Sequence, residues 1–217
     1  MPLKVYKMDA SPPARAVMML CDILDIPVEL VEVDIVHKKQ FTPEFLKINP
    51  LHTVPVFEDG DFILHESHAI MAYLTDTYAK DDSLYPKDVK KRALVNQKLL
   101  FNAATLFPRM RSITFEAVVK GNPNVRDTQL SDVEECYSFL ETFLSKNKYL
   151  AADHMTLADI ASISTVTTLL YIIPLDDKKY PKTRAWIDNL EKQSFCVKYN
   201  KPGNTFLGEA LKKALNK

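Results

Sequence analysis

The stretch Asn49-Pro50-Leu51-His52-Thr53-Val54-Pro55-Val56-Phe57-Glu58-Asp59-Gly60-Asp61-Phe62-Ile63-Leu64-His65-Glu66-Ser67-His68-Ala69-Ile70 decides how the chain folds. Two short apolar runs, Val54 to Phe57 and Phe62 to Leu64, flank Asp59-Gly60. Glycine accepts the positive φ of a primed turn, so this pair between apolar runs predicts a hairpin. Pro55 has no N–H for a ladder and fits only an edge, a first residue or a bulge. Ile70, Tyr73, Leu74, Thr77 and Tyr78 then follow helical spacing, with Ser67 as N-cap. An extended segment beside a proline, a hairpin and an open helix N-terminus therefore lie together. Backbone groups beside Pro55 can pair with a peptide-like ligand. Free N–H groups at Ser67 can take a carboxylate. The same spacing also fits a serine that only caps a helix.

On the N-terminal side, Leu3 to Met8 reads as a strand, broken by Asp9-Ala10-Ser11-Pro12-Pro13. A helix follows from about Pro12 to Leu24, and Val28 to Asp34 is a second strand. Strand, helix, strand implies a right-handed parallel crossover. Thr42-Pro43 opens a short helix to Ile48, with proline at a tolerated first-turn position. The order βαβ, α, ββα gives a four-stranded mixed sheet with helices over residues 1–80.

Residues 81–87 are charged and turn-like, and we place a linker there. From 88 to 217 strand signals are weak, and the expectation is an all-α domain. Asp88 to Lys120 reads as one long helix bent near Pro108. Gln129 to Ser145 is a second helix. Thr156-Leu157-Ala158-Asp159 is a variant capping box that starts a third, which runs to about Ile173. Arg184 to Gln193 and Leu207 to Asn216 give two shorter ones.

At 217 residues, 47% of them hydrophobic, the chain can build one large domain or two small ones. Lys+Arg and Asp+Glu are both 28, which argues against nucleic acid as an electrostatic partner. No apolar stretch follows a basic start, so no signal peptide is expected. The longest mostly apolar tract, Ile160 to Leu175, is short of a membrane span. Cys21, Cys136 and Cys196 are scattered and odd in number, as in a reducing, cytoplasmic compartment. We read each as a small buried apolar residue.

Ser11 is the sharpest candidate for chemistry. It stands where the first strand hands over to a helix. An N-cap oxygen normally accepts from the second or third helical N–H, but Pro12 and Pro13 have none. Only Ala14 can donate to it, so the hydroxyl is free to donate to a ligand. The helix N-terminus adds partial positive charge there. Together they favour a thiolate over a thiol. Simple capping remains the plainer alternative.

Four motifs stand in order: Ser11-Pro12-Pro13-Ala14-Arg15, Asn49 to Pro55, Glu66-Ser67-His68-Ala69-Ile70, and Thr156-Leu157-Ala158-Asp159. With these the chain resembles a cytosolic glutathione S-transferase of the insect delta/epsilon type, most like the epsilon class. The resemblance implies a thioredoxin-like N-terminal domain and an all-helical C-terminal domain. It implies glutathione as co-substrate, no metal, and a homodimer. It also implies roles. Ser11 would donate to the glutathione sulfur. Val54, before a cis Pro55, would pair with the cysteinyl part. Glu66 would hold the γ-glutamyl ammonium and Ser67 its carboxylate. His52, next to Thr53, would lie near the glycyl end, and His68 would flank the site. Relatives often have histidine where Gln40 stands, and glutamine brings no charge to the glycyl carboxylate. Pro13, Met110, Arg111, Thr114, Phe115 and Val118 would face the second substrate, with Phe206 and Leu207 closing the pocket. An Arg–Glu pair four apart, present in some epsilon relatives, is not carried over, because Arg111 and Glu116 are five apart.

The implied activity is conjugation of the thiolate to hydrophobic electrophiles in detoxification. Peroxidase and dehydrochlorinase activities, and a non-catalytic carrier, are the alternatives. Tyr6 is the rival sulfur donor, since other classes use a tyrosine on the first strand. A glutaredoxin reading fails for lack of a cysteine near Ser11. A metal site from His52, His65 and His68 has no completing ligand.

Overall fold

The computed structural model describes residues 2–216, so the outermost ends of the ranges 1–80 and 88–217 lie outside the described residues. The first part runs β1 (Leu3–Lys7), α1 (Pro12–Ile23), β2 (Val28–Glu32), α2 (Pro43–Ile48), β3 (Val56–Asp59), β4 (Phe62–His65) and α3 (Ser67–Tyr78). The sheet order is β2-β1-β3-β4. β1 and β2 are parallel, and β3 is antiparallel to both β1 and β4. The hairpin turns at Gly60-Asp61, with Asp59 opposite Phe62. Only Gly60 (φ 65°) has positive φ there, the pattern of a type II′ turn. Side chains alternate across the sheet. Val5 and Phe57 join the main core with residues of α1 and α3. Val56 and Phe45 form a small second cluster, with Tyr6 packed against it, under α2.

The second part is helical: α4 (Val89–Phe101), α5 (Phe107–Thr114), α6 (Asp127–Leu144), α7 (Leu157–Leu169), α8 (Pro181–Glu191) and α9 (Lys201–Ala214). The predicted single helix from 88 to 120 is instead α4 and α5 with wide π turns at Asn102–Leu106 and Phe115–Val119. Pro108 has no N–H to return to residue 104, and the backbone widens just ahead of it, with Phe107 N–H reaching Asn102 O. Asp88 caps α4 through the Lys91 N–H (2.9 Å).

α7 ends at Leu169, earlier than Pro174. Ile172 N–H turns back to Leu169 O, three residues away, and tightens the end. α9 starts six residues before the expected Leu207, because Pro202 is tolerated in a first turn and Gly203 packs closely. Buried Asp159 accepts from Thr156 N–H (2.9 Å) and also from Leu150 N–H and Trp186 Nε1 (both 2.9 Å). The capping box expected at Thr156 to Asp159 is present in both halves, and the Thr156 hydroxyl also donates to Asp159 Oδ2 (3.1 Å). One continuous core runs from Val5 to Leu211 through both parts. Among the described residues, no helix is long and apolar enough to cross a membrane.

Candidate active site at one end of the sheet

Sheet register brings the predicted residues together. Tyr6, Val56 and His65 form one row across β1, β3 and β4. Just beyond that row lie three segments: the turn from β1 to Ser11, the Val54-Pro55 approach to β3, and Glu66-Ser67 leaving β4. β1 and β4 run the same way, so α1 and α3, which follow them, both start at this end. Two helix N-termini thus bring partial positive charge to one end of the sheet, and α3 adds free N–H groups. α1 has none, since Pro12 and Pro13 lack an N–H and Ala14 N–H goes to Ser11 Oγ.

Ser11 is half-buried and caps α1, with its Oγ accepting from Ala14 N–H at a long 3.4 Å. Among the described residues, nothing accepts its hydroxyl proton. Tyr6 differs: its hydroxyl donates to Glu58 Oε2 at 2.7 Å. Burial and that bond push its phenol above the usual range, while Lys4 and Tyr6 hold Glu58 below its own.

Val54–Pro55 is a cis peptide bond, and no protein partner takes the Val54 backbone groups among the described residues. The approach is held by buried Asn49, whose Nδ2 donates to Thr53 O (3.0 Å) and whose Oδ1 accepts from Leu51 N–H (3.0 Å). His52 is exposed at φ 48°, its ring 4.6 Å from that of Phe41. Gln40 sits in the neighbouring 3-10 turn (Lys39–Phe41), buried, with Oε1 unpartnered.

Ser67 proves to be the first residue of α3 and not its cap. The cap is Glu66, at φ 74°, a rare and strained setting for a residue with a Cβ. The reason is geometric: the chain must turn sharply from β4 into α3, and it does so at Glu66. The Glu66 side chain is exposed and makes no cap bond, so the first N–H groups of α3 stay open. His68 is half-buried, and burial pushes its imidazole down to about 4. Its Nε2 meets Asn102 Nδ2 at 3.2 Å, and Asn102 also donates to Ala161 O (3.2 Å). With Nε2 as acceptor, the ring proton lies on Nδ1.

The second-substrate candidates divide. Met110 and Thr114 are buried, with Thr114 Oγ1 3.3 Å from Met110 Sδ. Pro13, Phe115 and Leu207 are half-buried, whereas Arg111, Val118 and Phe206 are exposed. Arg111 lies over the Phe115 ring (4.4 Å), and Glu116 pairs with Lys120 (2.7 Å), so Arg111 and Glu116 stay apart. α9 lies against residues 115–119, which brings the Phe206 helix to the Phe115 segment.

A cavity of about 420 Å³ lies away from this edge, between α7, α8 and α9. Its polar lining residues Thr167 and Asn204 already bond within the protein. Among the described residues, no group of three or more His, Cys, Asp or Glu is placed to hold a metal. All three cysteines are buried and free.

Sequence reasoning assigns no role to Arg15, Asn49 or Asn102. Asn49 precedes Pro50, a turn-initiating pair that signals its bonds. Arg15 sits between alanines on a helix buried nearly all round, which forces its side chain inward.

Residues 5–82 match the family model of the glutathione S-transferase N-terminal domain, and residues 96–194 that of its C-terminal domain. The chain is 42% identical over 206 residues to glutathione S-transferase 1 of Manduca sexta, covering 94% of each. It superposes on an epsilon-class glutathione S-transferase from the housefly, Musca domestica, with a TM-score of 0.96 at 40% identity, covering 98% of both chains. A glutathione transferase homolog from Drosophila mojavensis, solved with bound glutathione, gives 0.96 at 39% identity, covering 98% of this chain and 97% of that one. Fold and relatives agree: the chain belongs to the glutathione S-transferase family, among insect epsilon- and delta-type members.

Proposed function

We propose that the sheet-end cleft binds glutathione through the residues named above and that Ser11 holds its sulfur as thiolate. The observation that carries this is an unclaimed Ser11 hydroxyl proton at the N-terminus of α1, at the same end of the sheet as the open N-terminus of α3. The Val54 backbone takes the cysteinyl part as an added strand would. The α3 N-terminus with Ser67 takes the γ-glutamyl carboxylate, and exposed Glu66 its ammonium. His52, Thr53 and Gln40 stand toward the glycyl end, and His68 flanks the site.

Magnitudes fit this assignment. A free cysteine thiol titrates near about 8.5, so only a few per cent is ionised at pH 7. Lowering that by about 2 units takes about 2.7 kcal/mol. A hydrogen bond to a charged acceptor gives about 1.5–3 kcal/mol, and a helix terminus about 0.3–2. Together they suffice without a metal or strong base. The thiolate then attacks an electrophilic carbon held beside it, forming a carbon–sulfur bond as the leaving group departs with its electron pair.

The wider reading is detoxification of hydrophobic electrophiles, by a homodimer in the cytoplasm. Residues 1–80 would form the glutathione domain and 88–217 the electrophile domain, joined by 81–87. Pro13, Arg111, Phe115, Val118, Phe206 and Leu207 line the electrophile side, over buried Met110 and Thr114. The test is Ser11→Ala with titration of the bound thiol. We expect its pKa to rise by about 1–2 units, with retention on immobilised glutathione kept. An unchanged thiolate would remove Ser11 from the role.

A further inference from the structure

Arg15 is the largest fully buried side chain among the described residues, and nothing above uses it. It lies one turn into α1 from Ser11. Nη1 donates to Ala10 O at 3.1 Å, the carbonyl of the peptide unit whose nitrogen belongs to Ser11. Nη2 donates to Ser164 O (2.8 Å) and Thr168 Oγ1 (2.9 Å) on α7, and to Asn204 Oδ1 (3.4 Å) on α9. Nε has no partner. None of these acceptors carries charge.

The titratable groups facing the guanidinium are Asp9, Tyr171 and Cys196. Asp9 is mostly exposed and paired with Lys7 (2.7 Å), and burial pushes the Cys196 thiol up to about 12, so it stays neutral. Burial pulls Arg15 itself down to about 9, which leaves it charged at neutral pH. A buried cation without a counter-ion is expensive to keep. Its field inside the protein is weakly screened by salt and reaches further than a surface charge.

We propose that Arg15 is a positioning residue for the glutathione sulfur. It polarises the Ala10–Ser11 peptide and sets an unneutralised positive charge behind the Ser11 turn, which favours the thiolate. This rests on the Ser11 reading above.

The test is ultraviolet difference titration of glutathione bound to the full-length protein and its variants. Arg15→Met is expected to raise the thiolate pKa by about one unit, a tenfold loss of ionised sulfur at lower pH. KM for glutathione should stay within about threefold. Arg15→Lys restores the charge and should return most of the shift, and the shift should persist in high salt. Asn204→Asp keeps an acceptor at Oδ1 but neutralises the guanidinium. Because it also gives up the Asn204 Nδ2 donation to Thr167 O (3.2 Å), the control is Asn204→Leu, which loses that bond without adding charge. Asn204→Asp should raise the thiolate pKa and Asn204→Leu should not, a difference that a purely structural role for Arg15 would not produce. If Arg15→Met fails to fold, Asn204→Asp decides. A wild-type thiolate pKa in the folded Arg15→Met and Asn204→Asp variants overturns the proposal. Ser11→Ala run alongside separates the two failures: a raised pKa there with none in Arg15→Met or Asn204→Asp defeats only the Arg15 assignment.

Discussion

Ser11 and Tyr6 both carry a hydroxyl near the end of β1, and hydrogen bonding separates them. The Tyr6 proton belongs to Glu58, which lies within the sheet and also binds Lys4. Tyr6→Phe should therefore leave the bound thiolate unchanged and lower stability by about 1 kcal/mol in urea unfolding. Ser11 could be singled out from sequence because two prolines remove the donors that would normally occupy its oxygen. His68 could be placed beside the site but not given a protonation state, because its depressed basicity depends on burial against Asn102, far away in sequence. The unfolded chain protonates this imidazole below about 6.5 and the folded one only near 4, so the unfolded state holds more protons between them. Stability is therefore full above about 6.5 and falls as pH drops toward 4. His68→Gln should flatten that part of a Tm-against-pH profile.

Among the elements, the sheet and α1 to α3 were readable because punctuation residues bound them: Pro12-Pro13, Pro43, Pro55 and Gly60. The second part was less so. The π turn before Pro108 depends on how the missing N–H is absorbed, which spacing does not encode. Glu66 as the strained cap of α3, in place of Ser67, follows from the tight exit of β4. α9 starts at Lys201, six residues ahead of the expected Leu207, and spacing alone does not show that its first turn holds Pro202 and Gly203. Its glycine answers to packing: a Cβ there would stand 1.9 Å from Asp9 O. The clashing atom is backbone and cannot swing aside. Gly203→Ala should therefore destabilise by about 1–3 kcal/mol. It should also disturb the Asp9–Ser11 turn, seen as weaker glutathione retention alongside a lower Tm.

At the scale of the whole molecule, large apolar side chains remain uncovered on β4 and α4, including Phe62 (44% exposed), Leu94 (50%) and Leu100 (66%). β4 is also a sheet edge. A second copy of the chain covering these elements would bury them. Light scattering should give twice the chain mass of 24.8 kDa, and Leu100→Glu should shift it toward one chain. Zero net charge is compatible with such self-association, though no spacing in the sequence reveals which faces meet.

The seating of Gly203 on Asp9 also has a consequence for synthesis. A ribosome finishes the strands and α1 long before it emits residues 201–214. Until that last helix docks on the Asp9 carbonyl, the serine turn rests on its local bonds alone, such as Ser11 N–H to Met8 O. Chains terminated before residue 201 would then lack both the Gly203 backbone that seats on Asp9 and the Asn204 oxygen that meets Arg15.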